Sequence, residues 1–134
     1  MNRRAEREQA FVLTFEKEFN ADIPLEQIIS SAAESGFIEN DEFSEKLAIT
    51  ADEHVTEIDG IISGVTIGWD LSRISKAALA VLRIAVCEIE YFDEIPVSVS
   101  INEAVELGKK YASSEDAQFI NGILGTVARS KEKK

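Results

Sequence analysis

From Ala77 to Ile89 nearly every side chain is apolar: Ala77, Ala78, Leu79, Ala80, Val81, Leu82, Ile84, Ala85, Val86, Cys87 and Ile89, broken only by Arg83 and Glu88. Such a run, read as a helix, has no face to offer water and must be enclosed by other elements. It is too short to cross a bilayer, which takes about 20 apolar residues. The enclosure therefore comes from the rest of the chain, and an all-α bundle around a central helix is expected. That helix should run from about Ser72, a reasonable cap, to Phe92.

The flanking sequence supplies the surrounding helices. Residues 3–19 place Phe11, Phe15 and Phe19 at i, i+4 and i+8, with Ala10, Leu13 and Thr14 on the adjacent arc. Asp22 is a plausible N-cap, with Pro24 near the first turn of a second helix carrying Leu25, Ile28, Ile29 and Ala32; Ser35-Gly36 ends it. Asn40 or Asp41 caps a third helix with Phe43, Leu47, Ile49 and Ala51. The pattern resumes through Val55, Ile58, Ile61, Ile62 and Val65, either as a fourth helix or as a continuation, until a break at Gly68-Trp69-Asp70. Asp93 to Pro96 is a turn, and a sixth helix covers about 97–112. Ser113-Ser114-Glu115-Asp116 reads as a loop or cap before a last helix with Phe119, Ile120, Ile123, Leu124 and Val127. The tail from Arg129 to Lys134 reads as polar and mobile. The expected fold is thus a compact bundle of about seven helices, in one domain spanning residues 1–134.

Charge narrows the function. The net charge of −11 argues at first against nucleic acid. Its distribution alters that inference. Between Glu18 and Asp70 thirteen acidic residues accompany a single basic one, Lys46. Arg3, Arg4 and Arg7 crowd the start, and from Lys109 onward basic residues outnumber acidic ones six to three. If the fold joins the two ends, one face can hold a polyanion while the rest keeps the protein soluble. The other reading is a solvated acidic surface with frayed basic ends.

Catalytic chemistry has little to stand on. His54 is the one histidine, in Asp52-Glu53-His54, and lacks the second histidine four residues on that a zinc-protease helix uses. It reads as a surface histidine. Cys87 is the one cysteine and lies in the most apolar helix, where a core thiol is expected rather than a nucleophile. A lone cysteine makes no internal disulfide, which fits a reducing compartment. No glycine pattern cradles a phosphate. No enzyme activity, cofactor or metal site is expected, nor a signal peptide or membrane span; the protein is expected in the cytoplasm.

Binding remains. Single-stranded RNA is held by cations along its backbone and by rings on which bases stack, each stack contributing about 1–3 kcal/mol. Arg3, Arg4, Arg7 and Phe15 offer that combination on the first helix, and Lys109, Lys110 and Phe119 offer it near the C-terminal loop. Phenylalanines at such spacing are also ordinary core residues.

Several strings carry a family resemblance. Val81-Leu82-Arg83-Ile84-Ala85-Val86-Cys87-Glu88-Ile89 with Ile95-Pro96, Ile101-Asn102-Glu103-Ala104-Val105-Glu106-Leu107-Gly108-Lys109-Lys110-Tyr111, Phe119-Ile120-Asn121-Gly122-Ile123-Leu124, and Arg7-Glu8-Gln9-Ala10 resemble the NusB transcription-antitermination family. The resemblance implies two small helical subbundles and a non-enzymatic RNA-binding adaptor. It also implies a heterodimer with NusE, a small-subunit ribosomal protein; the pair binds boxA-type single-stranded RNA in ribosomal RNA transcripts and acts indirectly on the RNA polymerase complex. Carried over by position, the RNA-contacting residues are Arg3, Arg4, Arg7, Phe15 and Phe119, and Lys110 joins them as a candidate from its charge beside the C-terminal loop. Ser114, Glu115 and Asp116 fall in the loop near RNA and partner.

The sequence departs from the family pattern in ways that thin this face. Val12 and Phe15 stand where glutamine and tyrosine are common, Gln118 stands for a lysine, Cys87 for a tyrosine and Gly125 for an aspartate. Two other readings follow: a protein–protein adaptor or homodimer with weak or no RNA binding, and the NusB-like module of a ribosomal RNA methyltransferase.

Overall fold

The computed structural model describes residues 1–66 and 70–132. Among them the regular elements are all helical: α1 (Arg3–Phe19), α2 (Leu25–Glu34), α3 (Glu42–Glu53), α4 (Val55–Val65), a 3₁₀ turn (Leu71–Arg73), α5 (Lys76–Tyr91), α6 (Val97–Tyr111) and α7 (Ser114–Glu132).

Side-chain caps set most of the starts. Asn2 accepts from the Ala5 amide at 2.8 Å, Asp41 from Ser44 at 2.8 Å and Ser75 from Ala78 at 3.2 Å. Each satisfies a backbone donor that the first turn leaves without a partner. Two expected caps move. Pro24, not Asp22, holds the N-cap position of α2, where its missing N–H costs nothing. Ser72 lies in the 3₁₀ turn, and Ser75 caps α5 three residues later than expected. Of the expected break at 68–70, Gly68 and Trp69 lie outside the described residues, while Asp70 caps the 3₁₀ turn through the Ser72 amide at 3.1 Å.

His54 separates α3 from α4, so these are two helices, and Asp59-Gly60 lies inside the second. At the other end, Ser113 alone acts as the cap, accepting from the Asp116 amide at 3.0 Å; Ser114, Glu115 and Asp116 form the first turn of α7 rather than a loop. The last helix continues through Arg129 to Glu132. Lys131 docks it by donating to the Ile89 carbonyl at 2.6 Å, so the helix extends past the point where a polar tail was expected.

The central helix is enclosed as its composition requires. α5 touches α1, α3, α4, α6 and α7; α1, α2 and α3 pack together on one side, and α6 pairs with α7 on the other. Val81, Leu82, Val86 and Cys87 are wholly buried. Burial of the Cys87 thiol, with Glu88 beside it, pushes its pKa up to about 12, as befits a core residue. The α6–α7 contact is close because Gly108 has no side chain. A Cβ there would sit 2.9 Å from Ile120 Cδ1 and 3.3 Å from Ala117 Cα.

One charged pair lies in this core. Arg7 is 3% exposed and Glu88 0%. The guanidinium donates from Nε and Nη2 to the two carboxylate oxygens at 2.6 and 2.9 Å, and Ser100 Oγ donates to the same carboxylate at 2.9 Å. The pair fastens α1 to α5, with α6 supplying the third group.

Two outcomes test this account. Glu88→Ala leaves a buried guanidinium without its counter-charge and should cost about 3–5 kcal/mol in chemical denaturation, with the Arg7→Met/Glu88→Leu double variant recovering most of the loss. Gly108→Ala should cost about 1–3 kcal/mol, because Ile120 and the α7 backbone must give way.

Candidate nucleic-acid interface

The two basic ends meet. α1 lies along α6, and three side-chain links span 99 to 103 residues of sequence. Arg4 makes a two-pronged contact with Glu103, Nε to Oε1 at 3.0 Å and Nη2 to Oε2 at 2.7 Å. Lys110 donates to Glu8 at 2.8 Å, and the Tyr111 hydroxyl donates to the same carboxylate. The Tyr111 ring lies 4.7 Å from that of Phe11. The start of α7 completes the surface: Arg4, Glu103, Lys109, Ser114, Gln118 and Asn121 line a single open groove between the three helices.

These ion pairs shape the electrostatics. The Arg4 guanidinium holds the Glu103 carboxyl below its ordinary value. Burial works to raise the Glu8 carboxyl, but hydrogen bonds from Lys110 and Tyr111 outweigh it and the net displacement is downward. Lys110 is raised in turn by Glu8. Lys109 stands 3.6 Å from Glu106. Each cation of the groove therefore has an acidic neighbour, and the surface is a mosaic of opposite charges rather than a bare positive patch.

The expected contact residues fare differently. Arg4 and Lys110 sit on this surface with side chains 67% and 60% exposed. Arg4 meets Glu103 through Nε and one Nη2 hydrogen, so the outer edge of its guanidinium faces away from that carboxylate. Arg3 turns elsewhere, pairing with Glu6 at 3.3 Å and lying 3.7 Å over the Phe43 ring. Arg7 is the clear correction. Expected at the RNA face, it lies in the core against Glu88, with Nη1 3.6 Å from Glu103. Its position one turn before Phe11, the first ring of the stripe, gave no sign of this partner 81 residues away.

Phe15 and Phe119 are both half-buried against the core, neither sealed nor free-standing. Phe15 stacks on Phe11 at 5.8 Å and meets Phe19 edge-on at 5.0 Å. Ser114 and Glu115 are exposed at the head of α7, and Asp116 accepts from Ser75 Oγ at 3.3 Å. No group of three or more metal-ligating side chains occurs among the described residues. None of the described helices is long and apolar enough to cross a membrane.

The NusB family profile matches residues 4–129. The chain belongs to the NusB family. The transcription antitermination protein NusB of Finegoldia magna is 41% identical over 98% of this chain and 97% of its own length. That of Acetivibrio thermocellus is 45% identical, covering 98% and 91%. Among solved structures, NusB of T. maritima superposes with a TM-score of 0.86 at 32% identity, covering 96% of this chain and 92% of its own. A crystal structure of the antitermination factors NusB and NusE in complex with double-stranded RNA contains a chain matching at a TM-score of 0.85 and 25% identity, with 96% of each chain covered.

Sequence reasoning missed Glu8, Glu103, Tyr111 and Asn121, all of which shape this NusB-family surface. A signal for two of them exists: Arg4, Glu8 and Phe11 recur at helical spacing, as do Glu103, Leu107 and Lys110, so the pairs could have been read as facing stripes. The pH response follows from the lowered carboxyls. Their pairs stabilise the fold fully above the unfolded carboxylate value and lose that contribution as pH falls through the lowered folded value. Acid unfolding should therefore set in below about pH 4, and Glu103→Gln should make the loss across that window shallower in thermal melts.

Proposed function

We propose that this protein is a transcription antitermination factor of the bacterial cytoplasm that binds boxA-type single-stranded RNA together with NusE, and that it works by binding rather than by catalysis. The observation carrying the reading is the meeting of Arg4, Lys109 and Lys110 around two adjoining grooves that share Arg4, Glu103 and Glu106, built from helices far apart in the chain. Relatives that match over nearly the whole chain bear the name transcription antitermination protein, and a matching structure joins NusB to NusE and double-stranded RNA, which supports the partner and RNA binding as such.

In this reading Arg4, Lys109 and Lys110 meet phosphates, Phe15 and Phe119 offer partial ring faces to bases, and Ser114, Glu115 and Asp116 lie where RNA and NusE come together. The paired cations have a consequence. A phosphate approaching Arg4 or Lys110 must share it with Glu103 or Glu8, so the electrostatic grip on arbitrary RNA is small. Selectivity then comes from stacking and from the surface completed by the partner.

Fluorescence anisotropy with a boxA-type strand, a scrambled strand and a duplex, each with and without NusE, tests this. The boxA strand should bind tightest with NusE present. Arg4→Ala/Lys109→Ala should weaken it about tenfold and reduce the slope of log K against log salt by up to about two. Glu106→Gln, which releases Lys109, should strengthen binding of all three nucleic acids. Equal binding of boxA and scrambled strands in every condition would sink the reading.

A further inference from the structure

Phe37 is 69% exposed, the most exposed of the large apolar side chains among the described residues. It is not on a loose loop. Gly36 turns the chain at φ 78°, a conformation that a residue with a Cβ adopts at a cost. The Phe37 and Ile38 amides both donate to the Ala32 carbonyl, at 2.9 and 3.3 Å, closing the end of α2. Ile38, the next residue, is 8% exposed and anchored in the core. One residue further, the Gln9 side chain clamps Glu39 at both backbone groups, Nε2 to its carbonyl at 2.8 Å and its amide to Oε1 at 3.1 Å. Four fixings thus hold a phenyl ring out into water, where it forgoes the stabilisation that burial gives such a side chain.

The ring stands between two grooves. One runs along α1 past Ala5, Gln9 and Val12; the other lies between α1 and α2, floored by Ile23, Ile28 and Ala32. The only charged residues lining either groove are Glu8 and Glu16, and Glu34 and Glu39 flank the turn in sequence, both exposed. No cation lines either groove. A rigid apolar anchor with an acidic surround matches an occupant that is apolar on one side and cationic at its margins. RNA is excluded by charge. A two-fold dimer through this face would set Glu8, Glu16, Glu34 and Glu39 against their own copies, so a second copy of the chain is disfavoured as well.

We infer that the Phe37 ridge and its two grooves are a docking surface for a basic, amphipathic protein helix, which packs its apolar face against Phe37 and sets Lys or Arg side chains on the glutamates at the rim. The surface shares no lining residue with the groove of Arg4, Lys109 and Gln118; Glu8, which Lys110 holds, is the one residue in common with the groove next to it.

The test uses the full chain labelled with ¹⁵N and two synthetic helical peptides of equal length, one of Leu and Lys and one of Leu and Glu. The Leu/Lys peptide should shift the amide signals of Gln9, Val12, Ser31 and Phe37, and the Leu/Glu peptide should leave them in place. Phe37→Ser, whose side chain is outside the core, should keep the native spectrum and weaken the Leu/Lys peptide about tenfold. Glu16→Lys/Glu34→Lys should weaken it similarly while leaving RNA binding unchanged. The inference is overturned if the Leu/Lys peptide maps to the acidic side chains of α3 and α4 instead. It is overturned equally if Phe37→Ser binds as the parent does, or if the same signals shift with protein concentration alone, which would identify a second copy as the occupant.

Discussion

A guanidinium and a carboxylate taken out of water together lose several kcal/mol of hydration each, and only close geometry with further hydrogen bonds offsets that. Arg7 and Glu88 meet those terms, with both forks engaged and Ser100 on the second lone pair of the carboxylate. The pair gives α1 a single permitted rotation and register against α5. Sliding or turning α1 by one residue would leave both charges buried and alone. With α1 held so, Arg4, one turn earlier, is delivered to Glu103, and Glu8, the next residue, to Lys110. The surface where the two ends of the chain meet therefore rests on a contact beneath it.

The helices were readable because their apolar residues recur at 3.6-residue spacing and because α5 is apolar throughout. Apart from the end of α7, which runs on through Lys131, the elements displaced from expectation were starts, and the reasons are local. Ser72 and Ser75 are equally good caps on paper, and the 3₁₀ turn that takes the first is set by packing of Ile74 into the core. Arg7 could not be placed from sequence. An arginine two turns into a basic helix looks the same whether its partner is a phosphate or a glutamate 81 residues on. The only hint was Glu88, a charge near the end of the run Ala77 to Ile89, which had to be neutralised by something. The rings were read correctly as a stripe, but sequence cannot divide such a stripe into Phe11, which is sealed, and Phe19, which is open.

Charge is apportioned by face rather than by total. The acidic stretch from Glu18 to Asp70 covers α2, α3 and α4, while Arg4 of α1 and Lys109 and Lys110 of α6 gather where those helices face each other. Even there each cation has an acidic neighbour, so the protein as a whole repels polyanions and the groove is close to neutral. Discrimination by shape and partner suits such a surface better than capture by long-range attraction.

The span of the Arg7–Glu88 contact also bears on the order of assembly. α1 leaves the ribosome first, yet its buried charge has no counterpart until α5 follows, and Arg4 waits for α6, 99 residues behind. At a synthesis rate of about 5–20 residues per second, that delay is about 5–20 s. For that interval the aromatic N-terminal helix has only α2 and α3 to cover it, and the nascent chain reaches its native topology only when its second half arrives to claim it.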